Sequence, residues 1–414
     1  MSSKSDHLSI DLLQHVIRNN IDDDADILSV TKLKFPLGEN FNSELMRINI
    51  IYNSPIRMEE QKCSMIAKYL PDDCFMLKFS EDMKFFEREM LMYKSTLPEM
   101  YSFGNIPMFG SFLKLLSLIT GCLKCIAAEP YLISTEPKTA ILLEDLSILD
   151  FRTISPGTAF DMDHCLYILD RLATFHASSV ALYEKDPSSM ELFKYALFDD
   201  VDGVKPFMTI GLQELIETCK RWPGLSMYAP KLELIQKDFL EIVFKSNKPS
   251  AKFNVLNHGD LWTNNIMISY NSNGKIKDVR FVDYQTLFYS SPAIDLHYFL
   301  VTGTSLESKK NITELLKLPH RNGMIFLKIF GHEHSTVRLQ HKLLDNPIVS
   351  IGLAGAVVTL AFMKVEDRFD TMTASFLNSE EREGFRYHAF NNTRYLEEIT
   401  VLLAFYDELG IFDK

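Results

Sequence analysis

Two short polar segments combine the residue types and the spacing that phosphoryl transfer requires. The first, HGDLWTNN at residues 258–265, has the form H-x-D-x-x-x-x-N, and the second is FVDYQ at residues 281–285. One carboxylate can accept the proton of an attacking hydroxyl, while a second carboxylate and an amide oxygen can hold Mg²⁺ on the phosphates. Asp260, Asn265 and Asp283 supply that set. Either segment alone is a weak match, but the two in this order are specific.

A hairpin between the two segments is what would bring them together. The pair Asn273-Gly274 stands between two apolar runs, and this is the strongest short-range signal for a β-hairpin. We therefore expect Asp260 and Asn265 on the loop that enters the hairpin, and Asp283 where its second strand ends. Hard oxygen ligands favour Mg²⁺ over zinc. The alternative is a plain turn capped by Asp260, which leaves a polar cluster between apolar strands unexplained.

A lysine on a strand, paired with a glutamate on a helix, is the other element that a kinase-type site needs. Lys68 lies in the strand-like run SMIAKYLP, and Glu89 lies in a predicted helix at residues 81–96. Lys78 is a rival, but it is too close to the start of that helix to face Glu89. On pattern alone, Glu89 could instead belong to a solvated helix face.

The elements that must position these residues follow from the apolar periodicity. Strands are predicted at residues 45–52, 63–70 and 139–143. Helices are predicted at 81–96, where Pro98 should end the helix, at 163–180, at 231–244 and over most of 292–410. The order predicts an α+β fold with two lobes. Its parts are a lead at 1–30, a small β-rich lobe with a hinge at 31–146, and a larger helical lobe at 147–414.

Composition narrows the class of protein. The chain has 414 residues, 46% apolar and 24% charged, which is typical of a globular protein. Its net charge of −12 gives no support to nucleic-acid binding.

The uncharged run 348–363 has 16 residues, fewer than the ~20 needed to span a bilayer. Six sparse cysteines and a polar N-terminus without a signal-peptide pattern predict a cytoplasmic protein.

Several segments closely resemble the ecdysteroid kinase-like family, also called CHK kinase-like. They are LNHGDLWTNNIM, FVDYQ, SPAIDLHYFL, FEREMLMYKSTLPEM and LATFHASS, and the resemblance runs from about residue 33 to 410. The family is grouped with choline kinases and aminoglycoside phosphotransferases in the protein-kinase-like fold. The resemblance implies an enzyme that uses ATP and Mg²⁺ to phosphorylate a hydroxyl of a small molecule, such as an ecdysteroid or another lipophilic alcohol.

The resemblance also assigns roles within the two polar segments. It implies that Asp260 is the catalytic base, Asn265 a magnesium ligand and Asp283 the main magnesium aspartate. Tyr-Gln follows Asp283 where protein kinases have Phe-Gly, which agrees with the small-molecule branch. Asp295 is implied to bind the backbone of the catalytic loop, and His258 to support that loop.

Nucleotide contacts are implied on the same basis. Lys68 and Glu89 match the phosphate-binding pair. The turn GENFNS, with Gly38 and Ser43, would cover the phosphates, and the hinge main chain at Glu144 and Leu146 would bind adenine. The side chains of Glu144 and Asp145 need do no more than cap the next segment.

Three alternatives remain open from the sequence. One is a choline- or aminoglycoside-type kinase with a cationic acceptor, and another is an inactive pseudokinase that serves as a binding module. A protein kinase is disfavoured because Asp-Phe-Gly and Ala-Pro-Glu elements are missing. The residues that would line the acceptor pocket are expected in the stretches 190–230 and 300–345. Neither stretch carries a motif that identifies the acceptor.

Overall fold

The computed structural model describes residues 8–35, 43–55, 59–71, 74–102, 126–135, 139–155, 157–194, 204–250, 253–317 and 385–412. Gly38 and the apolar run 348–363 lie outside the described residues. The chain divides into two compact units. Unit 1 comprises Met1–Pro98 and Ala127–Arg152, and unit 2 comprises Glu99–Ile126 and Thr153–Lys414.

Unit 1 is built on a five-stranded antiparallel sheet with the order β1-β2-β3-β5-β4. The strands are β1 (Asp26–Lys34), β2 (Glu44–Asn53), β3 (Glu60–Tyr69), β4 (Pro130–Ser134) and β5 (Ala140–Glu144). Alternate residues of β2 are buried, namely Ile48, Ile50 and Tyr52, because successive side chains of a strand point to opposite faces. The three strands predicted from the sequence are therefore present.

A helix covers the buried face of this sheet. It is α1 (Ile10–Asn20), and it begins at Ser9, whose hydroxyl accepts a hydrogen bond from the Leu12 N–H. Its buried residues Leu13, Val16 and Ile17 lie three and four positions apart and share one core with the apolar side chains of the sheet.

The segment after β3 is a series of short helices. It contains α2 (Cys74–Asp82), α3 (Phe85–Leu91), a π-helical turn (Met92–Thr96) and α4 (Leu97–Ser102). The prediction that Pro98 ends the helix is wrong. The Leu97 N–H bonds the Met92 carbonyl five residues back, and this wider turn takes the chain past a proline that would clash in a regular helix interior.

Unit 2 is mainly helical. Its first helices are α5 (Met162–Lys185), α6 (Val204–Arg221), α7 (Ala229–Gln236) and α8 (Phe239–Asn247). The later ones are α9 (Ala293–Thr302), α10 (Leu306–Lys310), α11 (Ile312–Lys317), α12 (Phe385–Phe390) and α13 (Thr393–Glu408). The single helix predicted at 231–244 is divided by a turn at Lys237 and Asp238. Among the described residues, no helix has both the length and the apolar character to cross a membrane.

Two small antiparallel ladders lie within unit 2. Strand β6 (Val255–Asn257) pairs with β9 (Phe288–Ser290), and β7 (Ile266–Tyr270) pairs with β8 (Ile276–Phe281). The predicted hairpin joins β7 to β8, and Gly274 takes the positive φ of 73° that its turn requires. The predicted α+β class, with a β-rich first part and a mainly helical second part, is confirmed.

Candidate active site

The loop between β6 and β7 brings Asp260 and Asn265 into direct contact. It ends in a 3₁₀ turn, Thr263–Asn265, that leads straight into β7. The Asn265 amide nitrogen donates to the Asp260 carbonyl at 2.9 Å and to Asp260 Oδ2 at 3.0 Å. An amide binds a cation through its oxygen, and the two bonds of the nitrogen to Asp260 fix the direction in which that oxygen points.

Asp283 follows β8 and is tied to the same turn. The neighbouring Val282 N–H donates to the Asn265 carbonyl at 3.0 Å, and Gln285 Nε2 donates to Asp283 Oδ2 at 3.2 Å. Asp283 has a left-handed backbone with φ 68°, a conformation that Asp and Asn tolerate better than other side chains with a Cβ. The hairpin thus joins the two polar segments as expected.

A buried carboxylate holds the backbone of the loop. Asp295, on α9, accepts hydrogen bonds from the His258 N–H at 2.7 Å and the Gly259 N–H at 2.9 Å. His176 Nε2 lies 2.8 Å from Asp295 Oδ2. Three donors compensate the burial of this charge. Asp295 therefore does what the resemblance implied, and His176 is a core histidine with a partner.

The loop also depends on a residue without a side chain. Gly259 has φ 82°, and a Cβ at this position would overlap the Thr286 carbonyl oxygen. The Thr286 hydroxyl donates to the His258 carbonyl at 3.0 Å, which fixes that close approach. The His258 ring donates from Nε2 to the Val282 carbonyl at 3.0 Å, so it supports the loop as expected.

One contact of Asp260 was not found from the sequence. The Tyr298 hydroxyl donates to Asp260 Oδ1. Tyr298 follows Asp295 by one helical turn on α9. That spacing is the only sequence signal that could have drawn attention to it.

The lysine and glutamate predicted to pair do so within unit 1. Lys68 on β3 and Glu89 on α3 approach to 2.6 Å between Nζ and Oε2, and their side chains are 3% and 0% exposed. Lys78, the rival, lies exposed on α2. The interpretation of Glu89 as part of a solvated helix face is therefore wrong.

The two predicted hinge residues lie at the end of β5 and just after it. The Glu144 N–H donates to the Glu129 carbonyl at 2.8 Å. Leu146 is buried and begins a 3₁₀ turn, Leu146–Leu149, whose other residues are exposed. Ser43 is buried just before β2. Gly38, its partner in the predicted phosphate-covering turn, lies outside the described residues.

Asp145 does more than cap the 3₁₀ turn that follows it. Its Oδ1 accepts from the Ser147 N–H at 3.0 Å and hydroxyl at 2.6 Å. Its Oδ2 accepts from Arg47 Nε at 2.8 Å and the Ser64 hydroxyl at 2.6 Å. Burial acts to raise the pKa of Asp145, but the hydrogen bonds from Ser147 and Ser64 and the charge of Arg47 outweigh it and hold the pKa below its ordinary value. The carboxylate therefore ties the turn after β5 to β2 and β3.

The donor set of unit 2 fits Mg²⁺. Asn265 offers an amide oxygen and Asp283 a carboxylate, and these are the hard ligands that Mg²⁺ takes together with substrate phosphates. Within the described part of the chain, no three His, Cys, Asp or Glu side chains gather into a metal-binding group.

A loop with a carboxylate and an amide, joined by a hairpin to a second carboxylate, has the residue types that phosphoryl transfer uses. A family model described as the ecdysteroid kinase-like family matches residues 37–324, and the chain belongs to that family. No curated protein matches the chain. Among solved structures, the chain is similar to one titled "Glucosamine kinase (crystal form B)", with 10% identity, 95% of each chain covered and a TM-score of 0.29.

Proposed function

We propose that the protein is an ATP-dependent phosphotransferase that moves the γ-phosphoryl group to a hydroxyl of a small molecule. The observation that carries this proposal is the linkage of Asp260, Asn265 and Asp283. The side-chain amide of Asn265 donates to the Asp260 carboxylate. The backbone carbonyl of Asn265 accepts from the N–H of Val282, the residue before Asp283. The Asp260 carboxylate and the Asn265 amide are thereby in contact, and the backbone of Asn265 is bonded to the residue before Asp283.

In this proposal each residue has one task. The acceptor hydroxyl attacks the γ-phosphorus, its proton passes to the Asp260 carboxylate, and the bond to the bridging oxygen of ADP breaks. Asn265 and Asp283 would hold Mg²⁺, which neutralises charge on the phosphates when it is bound. Gln285 donates to Asp283 and so orients the carboxylate that serves as the main ligand.

Unit 1 would supply the nucleotide contacts. Glu89 holds the Lys68 ammonium within a buried environment, where a fixed cation can contact the α- and β-phosphates. Gly38 and Ser43 are proposed to cover the phosphates. The main chain of Glu144 and Leu146 is proposed to bind adenine. Because the Glu144 N–H is already bonded to Glu129, adenine would bond the Glu144 carbonyl and the Leu146 N–H.

The acceptor is proposed to be an ecdysteroid-like molecule or another lipophilic alcohol, and the support for this is membership of the ecdysteroid kinase-like family. A cationic acceptor such as choline or an aminoglycoside would make the protein a different kind of small-molecule kinase. An inactive pseudokinase would bind Mg-ATP without transfer. A cytoplasmic location and the absence of nucleic-acid partners stay predictions from composition.

The test is ADP release over a panel of hydroxylated steroids, plant glycosides, choline and aminoglycosides, with Asp260→Asn as the matched inactive control. We expect turnover with lipophilic alcohols that exceeds turnover with choline in kcat/KM and is lost in the control. Equal or better kcat/KM for choline would assign the cationic alternative. Mg-ATP binding without transfer to any acceptor would support the binding module instead.

A further inference from the structure

Helix α9 contacts both the backbone and the functional side chain of the catalytic loop. All ten of its residues are buried, which is typical of a helix packed on every side. Asp295 accepts from the backbone N–H groups of His258 and Gly259. One turn later, the Tyr298 hydroxyl donates to Asp260 Oδ1. The helix therefore constrains both the backbone of the loop and the side chain of Asp260.

The two oxygens of the Asp260 carboxylate have different donors. Oδ1 accepts from the Tyr298 hydroxyl, and Oδ2 accepts from the Asn265 amide at 3.0 Å. Asn265 follows along the chain on the same loop, whereas Tyr298 comes from a separate buried helix. A carboxylate bonded at both oxygens by groups from two elements cannot rotate about χ1 or χ2 without breaking one of those bonds.

We propose that Tyr298 is a positioning residue for phosphoryl transfer, whose hydroxyl fixes the plane of the Asp260 carboxylate toward the acceptor. This inference rests on the proposed function, in which Asp260 receives the acceptor's proton. A base must lie within hydrogen-bond reach of the proton it takes. A displacement of about 1 Å can cost ~10²-fold in rate, so the orientation of this one group matters.

Tyr298 suits that task because it stays a donor. Burial, followed by the nearby Asp260 carboxylate, raises the pKa of Tyr298 well above its ordinary value. The hydroxyl therefore keeps its proton at physiological pH. The ring is only 4% exposed, so the surrounding core holds the hydroxyl in place when Asp260 is bonded to it.

The experiment compares Tyr298→Phe with Tyr395→Phe. Both changes remove one hydroxyl from a buried tyrosine of unit 2, and Tyr395 lies on α13, outside the catalytic loop. We expect Tyr298→Phe to lower kcat by ~10–10²-fold, with Mg-ATP affinity by calorimetry within about twofold of wild type. Tyr395→Phe should leave kcat unchanged. Wild-type kcat in Tyr298→Phe would overturn the inference and leave the proposed function intact.

A double-mutant cycle separates positioning from general damage to the core. In an Asp260→Ala background there is no carboxylate left to orient, so adding Tyr298→Phe should not lower the residual turnover further. A further loss of the same size in that background would overturn the inference, because the effect would then not pass through Asp260. Absence of ADP release by wild type with every acceptor would instead overturn the proposed function, and the inference with it.

Crystal structures of wild type and Tyr298→Phe give a readout that does not need turnover. We expect one Asp260 rotamer in wild type, and a second rotamer or weakened density for the carboxylate in the variant. An unchanged, single rotamer in Tyr298→Phe would overturn the inference even if kcat falls.

Discussion

The Lys68 ammonium and the Glu89 carboxylate lie 2.6 Å apart with almost no access to solvent. Removing two charges from water costs several kcal/mol per ion, and an apolar pair of similar size is often at least as stable. Stability therefore does not explain this pair. The proposed role of Lys68, a fixed cation that contacts phosphate, is the other explanation.

The first prediction separates these two explanations. Lys68→Met leaves a buried carboxylate without its cation and should destabilise the protein by about 3–5 kcal/mol. The double variant Lys68→Met/Glu89→Leu should regain most of that loss. Neither variant should bind Mg-ATP with wild-type affinity. Urea unfolding and calorimetry on the three proteins measure both effects. Wild-type Mg-ATP affinity in the double variant would mean that the pair is only structural.

The second prediction distinguishes the two aspartates of the polar segments. Asp260→Asn keeps the size of the side chain and removes the base, so kcat should fall by ~10²–10⁴-fold while Mg-ATP affinity stays the same. Asp283→Asn should lower kcat and also weaken Mg-ATP binding by at least ~10-fold. Asn tolerates the left-handed backbone at residue 283, so the change tests the ligand and not the fold. ADP release and calorimetry provide the two measurements. Equal effects on affinity would contradict the separate roles.

The third prediction concerns Asp145 and pH. Because its pKa is lowered in the folded state, its contribution to stability is full above the unfolded pKa of about 3.9. The contribution is lost as the pH falls through the folded value. Asp145→Asn should therefore cost about 1.5–3 kcal/mol at pH 7, and the difference from wild type should shrink steadily below about pH 4. Urea unfolding of both proteins as a function of pH measures this.

Asp186 is a matched control for Asp145. It makes the same two contacts with a serine two residues on, through the Ser188 N–H and hydroxyl, but it is exposed. Asp186→Asn should have a much smaller effect on stability at pH 7. Equal losses in the two variants would show that the local cap, and not the bonds to Arg47 and Ser64, accounts for the effect.

The fourth prediction uses two glycines with similar backbones. Gly259 and Gly274 have φ of 82° and 73°, but only at Gly259 would a Cβ meet another atom, the Thr286 carbonyl oxygen. Both alanine variants should show the cost of a left-handed residue, ~1–2 kcal/mol. Gly259→Ala should also displace the loop that carries Asp260 and lower kcat by ~10²-fold or more. Measurements of kcat and of urea unfolding test both effects. Wild-type kcat in Gly259→Ala would contradict the prediction, because the loop would then tolerate the added Cβ.

The proximity of the candidate site residues could be predicted because their relationship is local. Asp260 and Asn265 share one loop, and the hairpin signal at Asn273-Gly274 places Asp283 beside them. The Lys68–Glu89 pair could be predicted from a strand followed by a helix. In each case short-range sequence patterns determine which side chains meet.

What the sequence did not predict depends on distant contacts or on fine backbone detail. Tyr298 bonds a residue 38 positions away, and Arg47 bonds Asp145 across 98 positions, with no pattern to link them. No pattern in the sequence predicts the π-helical turn before Pro98. A proline usually ends a helix. Here the helix continues past Pro98 because the turn before it is wider than a regular α-helical turn.

The complete burial of α9 has a consequence for how the protein loses activity on heating. A helix packed on all sides exposes its amide groups to hydrogen exchange only when the surrounding structure opens with it. Asp295 and Tyr298 both belong to this helix, so the orientation of Asp260 is linked to amides that we expect to exchange slowly. Inactivation and cooperative unfolding of that unit should therefore coincide, without a folded, inactive species at intermediate temperatures.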